Sequence, residues 1–169
     1  GFEIPETSRQ AKGTNLVNLL QLETGEKVTA IVVVNDLTEE GVYFNMVTRN
    51  GITKRTPVSE YKNIRRSGLI AINLDEGDEL VSVCLTYGND RILVATNAGM
   101  AIEYDEGQVS VVGRTARGVK AIRLNKGDFV VGSVVVDDTR KLLTVTANGF
   151  GKRSEFEEFS TQNRGGMGV

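Results

Sequence analysis

The feature that most constrains this chain is a block of about fifty residues that recurs along it. Its turn reads Thr48-Arg49-Asn50-Gly51, then Thr96-Asn97-Ala98-Gly99, then Thr146-Ala147-Asn148-Gly149, so the closing glycines step by 48 and then 50 positions. Downstream, Gly68-Leu69-Ile70-Ala71-Ile72-Asn73-Leu74-Asp75-Glu76-Gly77-Asp78 is answered by Gly118-Val119-Lys120-Ala121-Ile122-Arg123-Leu124-Asn125-Lys126-Gly127-Asp128, and Gly168-Val169 begins a third copy. Residues 9–34 carry the back half of another. A unit repeated at this spacing cannot bury its apolar face alone and stacks on its neighbours, as in a propeller or solenoid. The expected organisation is one repeat-built domain over 1–169, with approximate repeats 1–47 (partial), 48–95, 96–145 and 146–169 (partial), a slice of a longer array.

Within the block the signals are those of strands. Apolar and β-branched runs at 28–34, 42–48, 79–86, 91–96, 129–136 and 141–146 are bounded by Gly, Asn or Asp, as strands are. The Asn-Gly pairs predict type I′ hairpins, whose two positive φ angles Asn and Gly tolerate. No window has the length and 3.6-residue period of an amphipathic helix. The expected fold is all-β: four-stranded blades in a β-pinwheel or propeller-like repeat, about three of them, as an open fragment.

Composition narrows the function. The 40% hydrophobic content supports a real core, and 19 glycines against 2 prolines suit many tight turns. No membrane span and no signal peptide are recognisable, so the expected setting is cytoplasmic. The single Cys84, in the apolar run 80–85, reads as a structural thiol. There is no histidine, which removes the Ser-His, Cys-His and His-metal constellations, and catalysis is not expected. The acidic groups Asp36, Glu39 and Glu40; Asp75, Glu76, Asp78 and Glu79; Glu103, Asp105 and Glu106; and Asp137 and Asp138 all sit by turns and read as solvated loop charge.

The net charge is −2, yet the basic residues are not spread evenly. Aligned on the glycine that ends each cluster, the loops read Ser8-Arg9-Gln10-Ala11-Lys12-Gly13, Asn63-Ile64-Arg65-Arg66-Ser67-Gly68, Gly113-Arg114-Thr115-Ala116-Arg117-Gly118 and Asn163-Arg164-Gly165-Gly166-Met167-Gly168. Repetition by rotation would place these loops along one circumference as a curved basic stripe. Lys54-Arg55 and Lys152-Arg153 follow the hairpin turns as a second element, where the middle repeat has Ile102-Glu103. Lys62 and Lys120 extend the two densest segments, 54–66 and 114–123. Such a stripe suits phosphate contact; basic residues that merely discourage edge-to-edge pairing are the competing explanation. Tyr61 and Phe159, at equivalent positions, read as blade core.

The runs Glu3-Ile4-Pro5-Glu6-Thr7-Ser8-Arg9-Gln10-Ala11-Lys12-Gly13, Asn50-Gly51-Ile52-Thr53-Lys54-Arg55, Gly77-Asp78-Glu79-Leu80 and Asn148-Gly149-Phe150-Gly151-Lys152-Arg153 together resemble the C-terminal domain family of DNA gyrase A, of the type IIA topoisomerases, over essentially the whole chain. The resemblance implies a β-pinwheel whose blades exchange strands and whose rim bends and wraps double-stranded DNA to support negative supercoiling. With the charge pattern it gives expected DNA contacts at Arg9, Lys12, Lys54, Arg55, Lys62, Arg65, Arg66, Arg114, Arg117, Lys120, Lys152 and Arg153 from the basic clusters, and at Gln162 and Arg164 from the resemblance. The catalytic core and the gyrase B ATPase would be partners in the parent; ATP and Mg would belong to that complex, with no cofactor in this fragment, and the setting would be the nucleoid. Gln162-Asn163-Arg164-Gly165-Gly166-Met167-Gly168 is similar to the family's wrapping heptad, with Asn163 and Met167 in place of two basic positions, so weak binding or bending without supercoiling is expected. None of Tyr43, Tyr61, Tyr87 and Tyr104 matches a cleavage tyrosine. The equivalent domain of topoisomerase IV and a protein-interaction propeller remain alternatives. About three blades do not close a ring of five or six, leaving an open arc whose two half repeats would pair within one molecule or between two.

Overall fold

The computed structural model describes residues 6–15, 18, 20, 22, 24–65 and 67–169. Three hairpins follow one another at the repeat spacing. The first joins β1 (Tyr43–Thr48) to β2 (Ile52–Pro57). After β3 (Leu80–Thr86) comes the second, β4 (Arg91–Thr96) with β5 (Ala101–Asp105). Then β6 (Val119–Lys120) and β7 (Val130–Val135) precede the third, β8 (Lys141–Val145) with β9 (Gly151–Glu155). A single 3-10 turn follows each hairpin, at Val58–Tyr61, Glu106–Gln108 and Phe156–Glu158.

The hairpin turns differ from expectation. Gly51, Gly99 and Gly149 each donate their N–H to the threonine carbonyl three residues back, at 2.9–3.0 Å. These glycines have φ of 79°, 88° and 83°, and among the described residues only glycines have positive φ. The result is a type I-like turn followed by one left-handed glycine, a three-residue loop, not the two-residue type I′ turn. The middle repeat shows why: Ala98 stands where the other two copies have asparagine, and alanine is strained at positive φ.

The strands are wired between repeats. β3 leads into the second hairpin but pairs with β1 of the first, and β7 leads into the third hairpin but pairs with β4 of the second. β6 completes the first sheet by pairing with β2, Ile52 against Lys120 and Thr53 against Val119, giving the order β3-β1-β2-β6. Val169 repeats that contact one blade later, exchanging two 2.8 Å hydrogen bonds with Ala101. The remaining sheets are β7-β4-β5 and β8-β9. The fold is thus an all-β array of blades that share strands with their successors.

Gly118, just before β6, ends its basic cluster as glycine because the first hairpin lies hard against it. A Cβ there would lie 2.5 Å from the Thr53 carbonyl oxygen, at a φ of +94°. Gly168 meets the Ala101 carbonyl in the same way, at 2.4 Å.

The core runs across blades. Val47 of the first blade packs with Ile92, Val94, Ile102, Tyr104, Val109, Ala121, Ile122 and Val130. Ile92, Leu93 and Val94 are buried in succession because both faces of β4 are covered. Tyr61 is buried edge-on against Phe44, at 5.0 Å between centroids, as expected of a blade core residue. Residues 28–34 form no strand. By repeat position they correspond to β3 and β7, which pair with the hairpin before them, and no hairpin precedes them among the described residues.

Candidate nucleic-acid interface

The loops at 113–118 and 163–168 are each stitched to the segment one repeat earlier. Arg114 donates from Nη1 to the Ile70 carbonyl at 3.0 Å, Asn73 donates from Nδ2 to the Thr115 carbonyl at 2.6 Å, and Arg117 forms an ion pair with Asp75. One repeat on, Arg164 donates from Nη1 to the Lys120 carbonyl at 2.6 Å. Gly165 N–H reaches the Ala121 carbonyl at 2.6 Å, and Arg123 N–H the Gly166 carbonyl at 2.7 Å. Ile70 and Lys120 are equivalent positions, so the arginine four before the glycine clamps a carbonyl of its neighbour in both repeats. Arg114 and Arg164 are half-buried in that role, and their guanidinium groups are committed to backbone oxygens, contrary to the expectation of free phosphate ligands. Arg164 also bonds the Gln108 carbonyl at 3.1 Å, and half-buried Gln162 donates its N–H to the Glu103 carbonyl at 2.8 Å.

Lys54 and Arg55 need a larger correction. Lys54 is fully buried, its ammonium donating to the Ala71 carbonyl at 2.7 Å and to the Arg114 carbonyl. Burial, then the nearby Arg114 charge, pull its pKa down to about 8. Arg55 is buried between an ion pair with Glu106 at 3.4 Å and the ring of Tyr43, 4.9 Å from its centroid. Neither faces the surface, because the next repeat lies over the outer edge of β2. On the third hairpin Lys152 and Arg153 are exposed, and Lys152 pairs with Glu158 at 3.0 Å.

What remains outside is a set of exposed basic side chains. Lys62, Arg65, Arg117 and Lys120 are exposed, as is Arg123, which belongs to the same run. Arg9 and Lys12 are exposed on the first loop. Arg66 lies outside the described residues.

Several carboxylates expected in solvent are structural instead. Asp78 is buried, its Oδ1 accepting from Asn50 N–H at 2.9 Å and Glu79 N–H at 2.8 Å. Asp128 does the same for Ala98 and Phe129, at 2.9 and 2.8 Å. The recurring Gly-Asp therefore staples the turn of the preceding hairpin; its fixed place in the repeat was the available signal. Glu106 is fully buried, accepting from Gly88 N–H at 2.6 Å and Asp90 N–H at 3.0 Å. Glu103, which replaces Arg55 in the middle repeat, is buried against Arg91 at 2.7 Å and the Thr161 hydroxyl at 2.8 Å. Both repeats thus place a charged residue here, matched by an opposite charge. Burial pushes the half-buried Cys84 thiol up to about 12, far from a nucleophile's range.

These contacts define a class: a pinwheel-type propeller whose blades are locked by strands and side chains from the next repeat, with basic loops on its outer edge. The chain belongs to the family described as DNA gyrase C-terminal domain, beta-propeller, which matches residues 2–35, 46–83, 90–137 and 140–169. It is 44% identical to the A subunit of DNA gyrase from Haloquadratum walsbyi, over 99% of this chain and 20% of that protein. It is 43% identical to the A subunit from Staphylococcus epidermidis, over 100% of this chain and 19% of that protein. The chain spans about a fifth of these curated relatives. Among solved structures, the C-terminal domain of DNA topoisomerase IV aligns at a TM-score of 0.90 and 32% identity, covering 99% of this chain and 52% of that one. The DNA gyrase A C-terminal domain aligns at 0.83 and 27%, covering 95% and 53%.

Proposed function

We propose that this chain is a non-catalytic DNA-binding and DNA-bending unit of a type IIA topoisomerase, a gyrase A in which DNA wrapped on the outer loops is presented to the cleavage core and biases strand passage toward negative supercoiling. The observation that carries this reading is the exposure of Lys62, Arg65, Arg117 and Lys120, with the loop at 113–118 stitched to the segment that follows the loop at 63–68. Bending a site of twenty to thirty base pairs costs on the order of 1–6 kcal/mol, so contacts spaced along a fixed curve must act together. Backbone stitching holds that spacing before DNA arrives, and contacts to phosphates bind with little regard to sequence. Arg9, Lys12, Lys152 and Arg153 extend the path in this reading. The gyrase A core and gyrase B ATPase are its proposed partners; ATP and Mg2+ are assigned to that larger assembly, and the cytoplasmic nucleoid is the proposed setting. Among the described residues no helix is long and apolar enough to cross a membrane.

One observation favours a second reading. Of the two solved domains above, that of topoisomerase IV has the higher TM-score and identity, which supports a substrate-selecting domain without strong wrapping. The identity of 43–44% to gyrase A chains weighs toward gyrase.

The test is fluorescence anisotropy with a linear duplex of about forty base pairs across a salt series. Affinity should fall steeply with salt, and Arg117→Ala with Lys120→Ala should make the slope shallower by about two phosphate contacts. No binding at low salt, or binding indifferent to salt, would reject the reading in favour of a protein-interaction propeller.

A further inference from the structure

Successive outer loops are joined in two different ways. At the second joint, where the loop at 163–168 meets the segment after the loop at 113–118, the backbones touch. Gly165 N–H donates to the Ala121 carbonyl at 2.6 Å and Arg123 N–H to the Gly166 carbonyl at 2.7 Å. At the first joint, one repeat earlier, side chains stand in these places. The Ala71 carbonyl, which matches that of Ala121, accepts from Lys54 Nζ at 2.7 Å and from the Tyr61 hydroxyl at 3.2 Å. Lys54 donates also to the Arg114 carbonyl, and Asn73, which matches Arg123, reaches across with its side-chain amide to the Thr115 carbonyl at 2.6 Å. The rest of each joint is alike: the arginine clamps Arg114 on Ile70 and Arg164 on Lys120, and the anchors of Val112 N–H on the Arg55 carbonyl and Gln162 N–H on the Glu103 carbonyl, at 3.0 and 2.8 Å.

Two positions account for the difference. Lys54 and Ile102 occupy the same place in their hairpins, and both are buried. Ile102 packs so closely on the loop at 163–168 that a Cβ at Gly166 would lie 3.4 Å from its Cδ1, and an apolar side chain asks for no partner there. Lys54 brings an ammonium that must be bonded where it is buried. It takes one carbonyl from each side, so the two backbones stand an ammonium apart. Gly165 has a φ of +81°, which suits glycine and strains a threonine such as Thr115 at the same place.

We propose that Lys54 is a spacer that holds the loops at 63–68 and 113–118 farther apart than direct backbone contact would, and so lengthens the arc over which DNA lying across them takes its turn. Packing of Val47 in the first blade against Ile92, Val94 and Ile102 in the second sets the angle between these blades without the lysine. The same angle taken over a longer arc is a gentler bend, which costs the duplex less. Lys54 touches no DNA in this account; it is a positioning residue that acts through the two loops. The effect on bending rests on the DNA-binding reading above, whereas the spacing does not.

Amide hydrogen exchange on the unmodified chain tests the difference between the joints. Gly165 and Arg123 should be protected about tenfold or more beyond Thr115 and Asn73, and equal protection would overturn the proposal. Thr115→Gly with Lys54→Ile then rebuilds the first joint on the pattern of the second. The amide at position 115 should slow by about tenfold or more in the double variant, and not in Thr115→Gly alone. A lysine that merely stabilised the fold would, when lost, let that amide exchange faster. Unchanged or faster exchange there, while the amides of β4 keep their rates, would therefore refute the spacer. Should that variant fail to fold, Ile102→Lys with Gly165→Thr opens the second joint instead, and exchange at position 165 should rise about tenfold with β4 again unchanged; no rise would count against the proposal equally. Bending is read by energy transfer between dyes at the ends of a duplex of about forty base pairs at saturating protein, where the first double variant should bring the ends closer with affinity within about threefold of the parent. Binding kept with transfer unchanged would sink the effect on bending and leave the DNA reading intact. Absence of binding by the parent would reject that reading and the bending effect together, and the exchange rates would still decide the spacer.

Discussion

Lys54-Arg55 and Lys152-Arg153 are the same dipeptide at the same place in two hairpins, yet the first pair is buried and the second lies in solvent. Local sequence cannot account for the difference. The first hairpin has the following repeat laid over β2, so the Lys54 ammonium finds two carbonyls and Arg55 finds Glu106. Among the described residues nothing covers the third hairpin in this way, and its lysine pairs with Glu158 at the surface. A position in a repeat array therefore has no fixed environment; its neighbours supply one.

That contrast can be broken most forcefully through glycine. Gly118→Ala would force a Cβ into the Thr53 carbonyl at positive φ and should destabilise by about 3 kcal/mol. Gly149→Ala has the same sign of φ but open space around it and should cost about 1 kcal/mol. Urea unfolding measures both, and equal losses would show that backbone conformation alone, without the inter-blade contact, sets the requirement.

The lysines come next. Lys54→Met takes the ammonium donor from the Arg114 carbonyl and leaves the Ala71 carbonyl with the Tyr61 hydroxyl alone, and should cost about 2 kcal/mol, while Lys152→Met should fall within about 0.5 kcal/mol of the parent. Similar losses would mean that Lys54 contributes through general charge.

The smallest effect sharpens the same pair through pH. Lys54 has its folded pKa lowered from the ordinary 10.5 to about 8. Between those values the unfolded chain holds a proton that the folded chain has released, so stability from this group rises with pH across the window and is lost as pH falls through 8. Unfolding at about pH 7.5 and about pH 9.5 should show the parent gaining stability relative to Lys54→Met. Parallel behaviour of the two proteins would refute a depressed lysine, and Lys152→Met should track the parent.

The strand content was legible because β-branched runs such as Arg91–Thr96 advertise themselves, and the repeat period announced the stacking. β6 was not legible as a strand: it has two residues, and its pairing depends on Ile52 and Thr53, far back in the chain. The burial of Lys54, Glu103 and Glu106 escaped for the same reason, since each is bonded by a group from another repeat: the Arg114 carbonyl, the Thr161 hydroxyl and the Arg55 guanidinium. Composition places such residues in solvent unless a partner is known. The basic loops were legible as a set, but not the division of labour within them. Arg114 and Arg164 look like their exposed neighbours in sequence, and only the Ile70 and Lys120 carbonyls distinguish them.

The order in which strands join the first sheet bears on how the chain is made. β1 and β2 are complete once Pro57 has been synthesised, but β3 must arrive to cover one edge and β6 to cover the other. A ribosome working from the N-terminus releases the first hairpin with both edges bare and Lys54 still in water. That blade cannot finish until Lys120 has emerged, and by then the second hairpin is waiting on the same terms. A pause in translation before Lys120 leaves the first blade unfinished, and a pause just after it leaves the second hairpin with both edges bare in its turn.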